Sequence, residues 1–269
     1  MASKVLADYL NEGYTTDDFL KALDVVLTQN YPSKPNNELQ IVKTLFSIGL
    51  GNINKLFPGV GAKATSGDPT DYIERWVHRY FHARANRPSK SKANPKGSAN
   101  DPALPVIVKE NKRYTFEQIQ QAIKDHNLFM NAENIQGALL EEYINSCASK
   151  DGWIWAEGET MRACDFVRFN PITHIPELVQ IKNRDNTENS SSSAIRQGTQ
   201  IRKWNRLKTR QKAGKPYPEF QWDKLNEIMK LSSENLMSEE EYNSFFSESC
   251  PKQHTLIRLK KENLRPPFL

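Results

Sequence analysis

The chain has 269 residues, a formal net charge of +5 at pH 7 and a hydrophobic content of 38%. This length suffices for one large domain or two small ones, each with its own core. Three cysteines, Cys147, Cys164 and Cys250, lack CxxC spacing, which argues against a disulfide framework or a zinc site. The sequence contains no apolar run long enough to span a bilayer and no signal-peptide core after Met1, so we expect a cytoplasmic protein without a membrane partner.

The first ninety residues are predicted to be helical. Apolar residues recur at three- and four-residue steps over residues 8–12, 16–29 and 37–48, and Asp68-Pro69 opens a further helix. Residues 91–105 are rich in Pro, Ser, Lys, Gly and Asn, which is typical of a flexible linker. We therefore expect a helical region at 1–90 and a larger domain at 106–269.

The larger domain shows a defined order of predicted elements. Helices within residues 116–148 precede strands at 153–156, 161–169 and 177–182, and Glu157-Gly158 is predicted to be a hairpin turn. A basic helix from about Ala194 and a late strand at 255–259 complete the order αβββαβ. Helices are also expected after Gln221, where they pack on the core or form a subunit contact.

Polar residues mark the second and third predicted strands. Alternation along a strand places Leu178, Gln180 and Lys182 on one face. If the two strands are neighbours, Asp165 meets Gln180 and Lys182. The carboxylate and the amide oxygen could then hold Mg²⁺, and the lysine could orient or deprotonate a water molecule. An isolated pair of this kind is more often a solvated strand end, so the surrounding sequence has to decide.

The segment after Lys182 is polar and then strongly basic. Residues 183–193 are rich in Asn and Ser and are predicted to form a loop, and Trp204 lies inside the basic run that follows. Such a density of positive charge favours contact with a phosphate backbone, although a solvated helix face is the alternative. The basic residues are Arg196, Arg202, Lys203, Arg206, Lys208, Arg210, Lys212 and Lys215.

The polar loop also offers the donors and acceptors that base edges require. Arg suits guanine, Asn suits adenine and Glu can accept from cytosine. A mobile surface loop that satisfies its own backbone is the competing interpretation. The predicted DNA contacts are Asn183, Arg184, Asn186, Glu188, Asn189, Ser191, Arg196, Arg202, Lys203 and Arg206.

These residues resemble a known family. Asp165 followed by Gln180-x-Lys182 resembles the PD-(D/E)XK nuclease signature, and residues 180–196 with Lys203-Trp204 resemble SinI-type type II restriction endonucleases. The resemblance covers about residues 133–225. It implies an α/β (α+β) fold with an αβββαβ core, a mixed central sheet and an added amino-terminal helical region. It further implies Mg²⁺-dependent cleavage of double-stranded DNA at GG(A/T)CC by a bacterial homodimer, with a cognate DNA methyltransferase in the same system.

The sequence departs from the superfamily pattern in two places. Cys164 precedes Asp165 where proline is usual, and this position has little chemical importance. The neutral Gln180 should bind Mg²⁺ less tightly than a carboxylate would, unless another acidic residue contributes. Spacing from Gly137 selects Glu141 by resemblance, whereas the helical wheel favours Glu142, so both remain candidates.

Two other functions fit the same residues. A non-catalytic nucleic-acid-binding protein could carry the Gln-containing site as a vestige, and a nuclease could act on RNA or branched DNA instead. We expect the helical region at 1–90 to contact DNA or to form a dimer interface.

Overall fold

The structure is a computed structural model that describes residues 4–61, 67–90, 106, 114–185 and 190–249. The predicted linker at 91–105, the predicted strand at 255–259 and Cys250 lie outside these residues. Two compact units divide the chain, the first formed by Met1–Asn86 with Tyr143–Tyr242 and the second by Arg87–Glu142 with Asn243–Leu269. The predicted boundary at 91–105 and the role of residues 1–90 stay predictions.

The amino-terminal region is helical, as predicted, and two of its helices begin at clear capping residues. Thr15 accepts a hydrogen bond from the backbone N–H of Asp18, and Asp18 accepts one from the N–H of Thr15. Asp68 likewise accepts from Thr70 N at 2.8 Å, directly before Pro69. Each cap satisfies a helix donor that would otherwise lack a partner. The helices are α1 Leu6–Leu10, α2 Thr16–Asn30, α3 Asn36–Leu50, α4 Ile53–Leu56 and α5 Pro69–Ala85.

The remaining described elements confirm the predicted order of a long helix, three strands and a further helix. The final strand of the predicted order αβββαβ, at residues 255–259, lies outside the described residues. Within the described ranges, no helix has the length and apolar content that crossing a membrane requires. The elements are α6 Phe116–Ala148, β1 Ile154–Trp155, β2 Phe166–Phe169, β3 Pro176–Arg184, α7 Ser190–Arg196, β4 Ile201–Lys212, β5 Lys215–Phe220, α8 Trp222–Met229 and α9 Glu239–Ser249.

The basic run corrects the prediction of a long basic helix. Helix α7 ends at Arg196, and the following basic residues form β4 and the first residue of β5. Lys and Arg favour helices only weakly, and β4 gains ladder hydrogen bonds on both sides because it pairs with β3 and β5. Ala213 and Gly214 both have positive φ angles of 50° and 76°, which is the backbone conformation that a tight hairpin turn needs.

The sheet is mixed, as predicted, with the strand order β1-β2-β3-β4-β5. Strands β3 and β4 are parallel, and the other neighbours are antiparallel. Strands β1 and β2 pair antiparallel, as the predicted hairpin requires, but a single turn of 3₁₀ helix at Glu157–Glu159 and a loop connect them instead of a tight turn at Glu157-Gly158. Gly158 packs tightly on α5, since an added Cβ would lie 2.6 Å from the carbonyl oxygen of Arg79.

Helices cover both faces of the sheet within the first unit. On one face, Val167, Leu178 and Ile201 join the core of α1–α5. On the other, Trp204 contacts Trp222 with ring centroids 5.2 Å apart. The polar ends of β2, β3 and β4 are therefore held on a rigid, well-packed sheet.

Candidate active site

Strands β2 and β3 bring Asp165 next to Gln180. Phe166 pairs with Val179, so Asp165, one residue before β2, lies opposite Gln180. The backbone N–H of Asp165 donates to Val179 O at 2.9 Å, and its carboxylate Oδ2 accepts from the N–H of Ile181 at 2.6 Å. Strands β2 and β3 are therefore neighbours in the sheet, which is the condition on which the predicted meeting of Asp165 and Gln180 depended. One oxygen of the carboxylate is thus fixed by the backbone.

Lys182 follows on the same face of β3 and acts electrostatically on Asp165. Burial raises the pKa of Asp165 to about 6, and the charge of Glu159 acts in the same direction. The hydrogen bond from Ile181 and the positive charge of Lys182 both lower this pKa. The carboxylate therefore lies within electrostatic range of one cation and one further carboxylate.

Glu159 is a residue that sequence reasoning missed. It is exposed, has a φ angle of 55° and lies in the turn between β1 and β2. The sequence offered only its position six residues before Asp165, inside a stretch that had been predicted as turn and strand. A second acidic group near Asp165 became visible only in the folded chain.

Gln180 is 2% exposed, and its side-chain oxygen already has a partner. Oε1 accepts a hydrogen bond from Nη1 of Arg196 at 2.6 Å. The oxygen atom that was predicted to bind a metal therefore accepts a hydrogen bond from the guanidinium group of Arg196 in this structure.

Lys203 lies beside Gln180 in the parallel register of β3 and β4. Burial lowers the pKa of Lys203, and the nearby positive charge of Arg196 lowers it further. Arg196 and Lys203, two of the predicted DNA contacts, thus lie close together on the face that carries Gln180 and Lys182.

Asn205, which the sequence did not single out, extends this face. It pairs with Lys182 in the register. Its buried Oδ1 has no hydrogen-bond partner among the residues that the structure describes. An unsatisfied oxygen of this kind is suited to an ordered water, a cation or a substrate donor.

The donor set fits a hard cation that takes most of its ligands from water and substrate. The described residues contain no group of three or more His, Cys, Asp or Glu side chains that could hold a metal ion. Mg²⁺ needs only one or two protein carboxylates when phosphate and water oxygens complete its octahedron. Asp165 offers such a carboxylate, and the charge of Glu159 acts on it.

The structure distinguishes the two glutamates on α6. Glu142 is 7% exposed and accepts hydrogen bonds from the N–H of Ser89 at 3.0 Å and from the hydroxyl of Ser89. Glu141 lies on the part of α6 that belongs to the second unit. The catalytic role of Glu141 stays a prediction. The carboxylate of Glu142, by contrast, accepts its hydrogen bonds from Ser89.

Arg206 corrects the prediction of a DNA contact, because its side chain is buried, whereas the predicted DNA contact of the half-buried Asn183 stays a prediction. Arg206 is 5% exposed and donates to Asn183 Oδ1 at 2.9 Å and to Glu239 Oε1 at 2.5 Å. Its guanidinium also lies 5.1 Å from the ring of Tyr242. Strand alternation points Arg206 to the face opposite Lys203. Arg206 therefore anchors α9 to the sheet.

Arg206→Ala is expected to lower the free energy of unfolding by on the order of 3 kcal/mol, because it leaves Glu239 and Asn183 without their buried partner. Urea unfolding with an unchanged m value would measure this. The exposed Arg184 on β3 provides the control, with an expected effect of Arg184→Ala below about 0.5 kcal/mol. Equal effects of the two substitutions would contradict the anchoring role.

The other predicted DNA contacts differ in their surroundings. Arg202 lies on the same face as Arg206, with Nη2 3.9 Å from Oε1 of Glu177. Arg184 and Ser191 are exposed. Asn186, Glu188 and Asn189 lie outside the described residues, so their contacts stay predictions.

Known proteins resemble this chain over most of its length. The family described as SinI restriction endonuclease matches residues 69–249, which include every residue of the candidate site. The type II restriction enzyme Eco47I of Escherichia coli is 33% identical over 191 residues, covering 70% of this chain and 79% of that enzyme. The type II restriction enzyme SinI of Salmonella infantis is 34% identical over 134 residues, covering 50% of this chain and 56% of that enzyme.

Proposed function

Because this chain belongs to the SinI restriction endonuclease family and is a type II restriction enzyme, we propose that it cleaves double-stranded DNA at GG(A/T)CC with Mg²⁺. The observation that carries this proposal is the pairing of β2 with β3, which sets Asp165 against Gln180 and next to Lys182. The specific site is inferred from the sequence resemblance. The preference for Mg²⁺ follows from the oxygen donors.

Each side chain has a defined task in this proposal. Asp165 would hold the divalent cation through the oxygen that does not accept from Ile181. Lys182 would orient the attacking water and oppose the charge that develops on the phosphoryl group. A bound Mg²⁺ supplies a Lewis acid for the phosphoryl oxygens. Gln180 is not assigned to the metal, since its oxygen lies on Arg196.

We extend the proposal to the assembly and its context. The outer GG and CC pairs of the target GG(A/T)CC are related by a two-fold axis through the central A·T pair, so two copies of the chain related by the same axis match it. A cognate methyltransferase that modifies the same site would protect the host DNA. Both enzymes would act in the bacterial cytoplasm, where the chromosome lies.

Digestion of plasmid DNA tests the proposal. The purified protein with Mg²⁺ is expected to give discrete fragments whose ends map to GG(A/T)CC, and EDTA is expected to abolish them. Plasmid methylated at these sites is the matched control and should stay intact. Smeared products, intact DNA or preferred cleavage of RNA would contradict the proposal and favour one of the other two functions.

The basic hairpin β4–β5 is proposed to bind the phosphate backbone with its exposed end. Lys212 and Lys215 pair across the turn, and both are exposed. Replacing both with Gln is expected to weaken binding to every duplex and to reduce the slope of log K against log salt by about 0.9 for each phosphate that is no longer neutralised. Fluorescence anisotropy at several salt concentrations measures this slope.

A matched double variant makes this experiment specific. Lys150 and Lys224 are exposed lysines outside the hairpin, and the change of both to Gln removes the same net charge. We expect their salt slope to equal that of the wild type. If both pairs give the same slope, the hairpin is only a solvated surface.

A further inference from the structure

The contact between Arg196 and Gln180 places a cation on the sheet face that carries Lys182. Nη1 of Arg196 lies 2.6 Å from Oε1 of Gln180, which is almost completely buried. Lys203 neighbours Gln180 on β4, and Lys182 follows it on β3. Arg196, Lys203 and Lys182 thus belong to the sheet face that carries one buried amide, and such a concentration of positive charge fits a phosphodiester anion.

The backbone around Arg196 is fixed from two sides. Thr199 donates two hydrogen bonds to the carbonyl oxygen of Arg196, from its N–H and its hydroxyl, each at 2.9 Å. Lys55 on α4 donates to the carbonyl oxygen of Gln197. Ile195 packs against the hydrophobic core. The guanidinium is therefore positioned by the folded protein before any DNA binds.

The chemistry of the amide explains why glutamine suits position 180. A carboxylate there would form an ion pair with Arg196 and cancel most of its charge. A neutral amide oxygen orients the guanidinium without adding a negative charge beside it. An oriented guanidinium can bind a phosphate through two parallel hydrogen bonds.

We propose that Arg196 binds the phosphate group that is cleaved and that Gln180 is the positioning residue that holds it there. The proposal rests on the proposed DNA cleavage. When the water oxygen bonds to phosphorus and the bond to the leaving sugar oxygen breaks, the non-bridging oxygens gain negative charge, the attacking water gives up one proton and the sugar oxygen takes one up from solvent. Arg196 stabilises that charge, and the products are a phosphomonoester and a hydroxyl group. This replaces the expectation that Arg196 reads a base.

Single-turnover cleavage separates the two roles of Arg196. Arg196→Ala is expected to lower the rate on GG(A/T)CC by about a hundredfold or more, as for other groups that stabilise transition-state charge. Its ratio of rates between this site and single-base variants should stay at the wild-type value, because a phosphate contact carries no sequence information. Arg196→Lys should recover part of the rate. Loss of this discrimination or a wild-type rate would overturn the proposal.

A binding experiment tests the same contact without cleavage. The duplex carries a neutral methylphosphonate at the cut position, located beforehand from the product ends, and binding is measured in EDTA. The wild type should bind this duplex more weakly than normal DNA, whereas Arg196→Ala should bind the two equally. Equal weakening for both proteins would refute the contact. A wild-type protein that cuts no DNA would instead refute the proposed function.

Substitutions of Gln180 test the positioning role. Gln180→Glu keeps the shape but pairs its charge with Arg196, so the rate at saturating Mg²⁺ should fall and half-saturation by Mg²⁺ should stay unchanged. Gln180→Met, which removes the acceptor, should lower the rate in the same way. Thermal melting confirms that each variant folds. Tighter Mg²⁺ binding with an undiminished rate in Gln180→Glu would show instead that Gln180 is a metal ligand.

Discussion

Asp165→Asn is expected to lower the rate of DNA cleavage by about a thousandfold, because a metal-bound transition state loses several kcal/mol when its carboxylate ligand loses its charge. Asparagine keeps the shape of the side chain, and its oxygen can still accept from the N–H of Ile181. Single-turnover cleavage over a range of Mg²⁺ concentrations measures the effect. Calorimetric titration of Mg²⁺ into the protein with an uncleavable duplex should show a parallel loss of metal binding.

The exposed Asp223 on α8 supplies the control. Asp223→Asn removes the same charge at a position that is far from the site residues in the sequence. We expect this variant to cleave DNA at the wild-type rate. A fully active Asp165→Asn protein would refute the site.

The same substitution, Asp165→Asn, should raise the thermal stability of the protein while it lowers the rate of cleavage. The pKa of Asp165 is raised to about 6 from an ordinary 3.8, so the folded state loses stability as the pH rises from about 4 to about 6, and the loss is complete above about pH 6. Asp165→Asn should therefore melt at a higher temperature than the wild type at pH 7 in EDTA. Below about pH 4 the carboxyl is protonated in both states, and the difference should vanish. A lower melting temperature at pH 7 would contradict this interpretation of the site.

Lys182→Ala is expected to lower the rate of cleavage by at least about a hundredfold while leaving DNA affinity nearly unchanged, because a group that orients water acts mainly on the transition state. Single-turnover cleavage gives the rate, and anisotropy with uncleaved DNA in EDTA gives the affinity. Lys182→Met fills the volume of the lysine stem and should be equally inactive, which separates the charge from packing.

Lys230 offers a matched control near the other end of β3. Its Nζ lies 2.9 Å from Oε1 of Glu177, and the side chain is largely exposed. Lys230→Ala should keep the wild-type rate, since exposed ion pairs contribute little. Wild-type cleavage by Lys182→Ala would remove this lysine from the mechanism.

The sequence by itself determined the local features of this protein. Periodicity predicted the helices before residue 90, and alternation along β3 placed Gln180 and Lys182 on one face. The order of the long helix, the three strands and the next helix followed from these short-range patterns, whereas the meeting of Asp165 with Gln180 was expected only on the condition that β2 and β3 are neighbours. Patterns of this kind are decided by steric and hydrophobic preferences of residues a few positions apart, and therefore they can be read before the fold is known.

Only the tertiary structure decided what lies around these residues. The basic run became β4 because β3 and β5 supply its backbone partners, and strand alternation then separated Lys203 from the buried Arg206. The hydrogen bond from Arg196 to Gln180 and the approach of Glu159 to Asp165 likewise depend on how loops pack. A run of identical charges carries no signal for which member is buried, since burial is set by contacts between residues far apart in the chain.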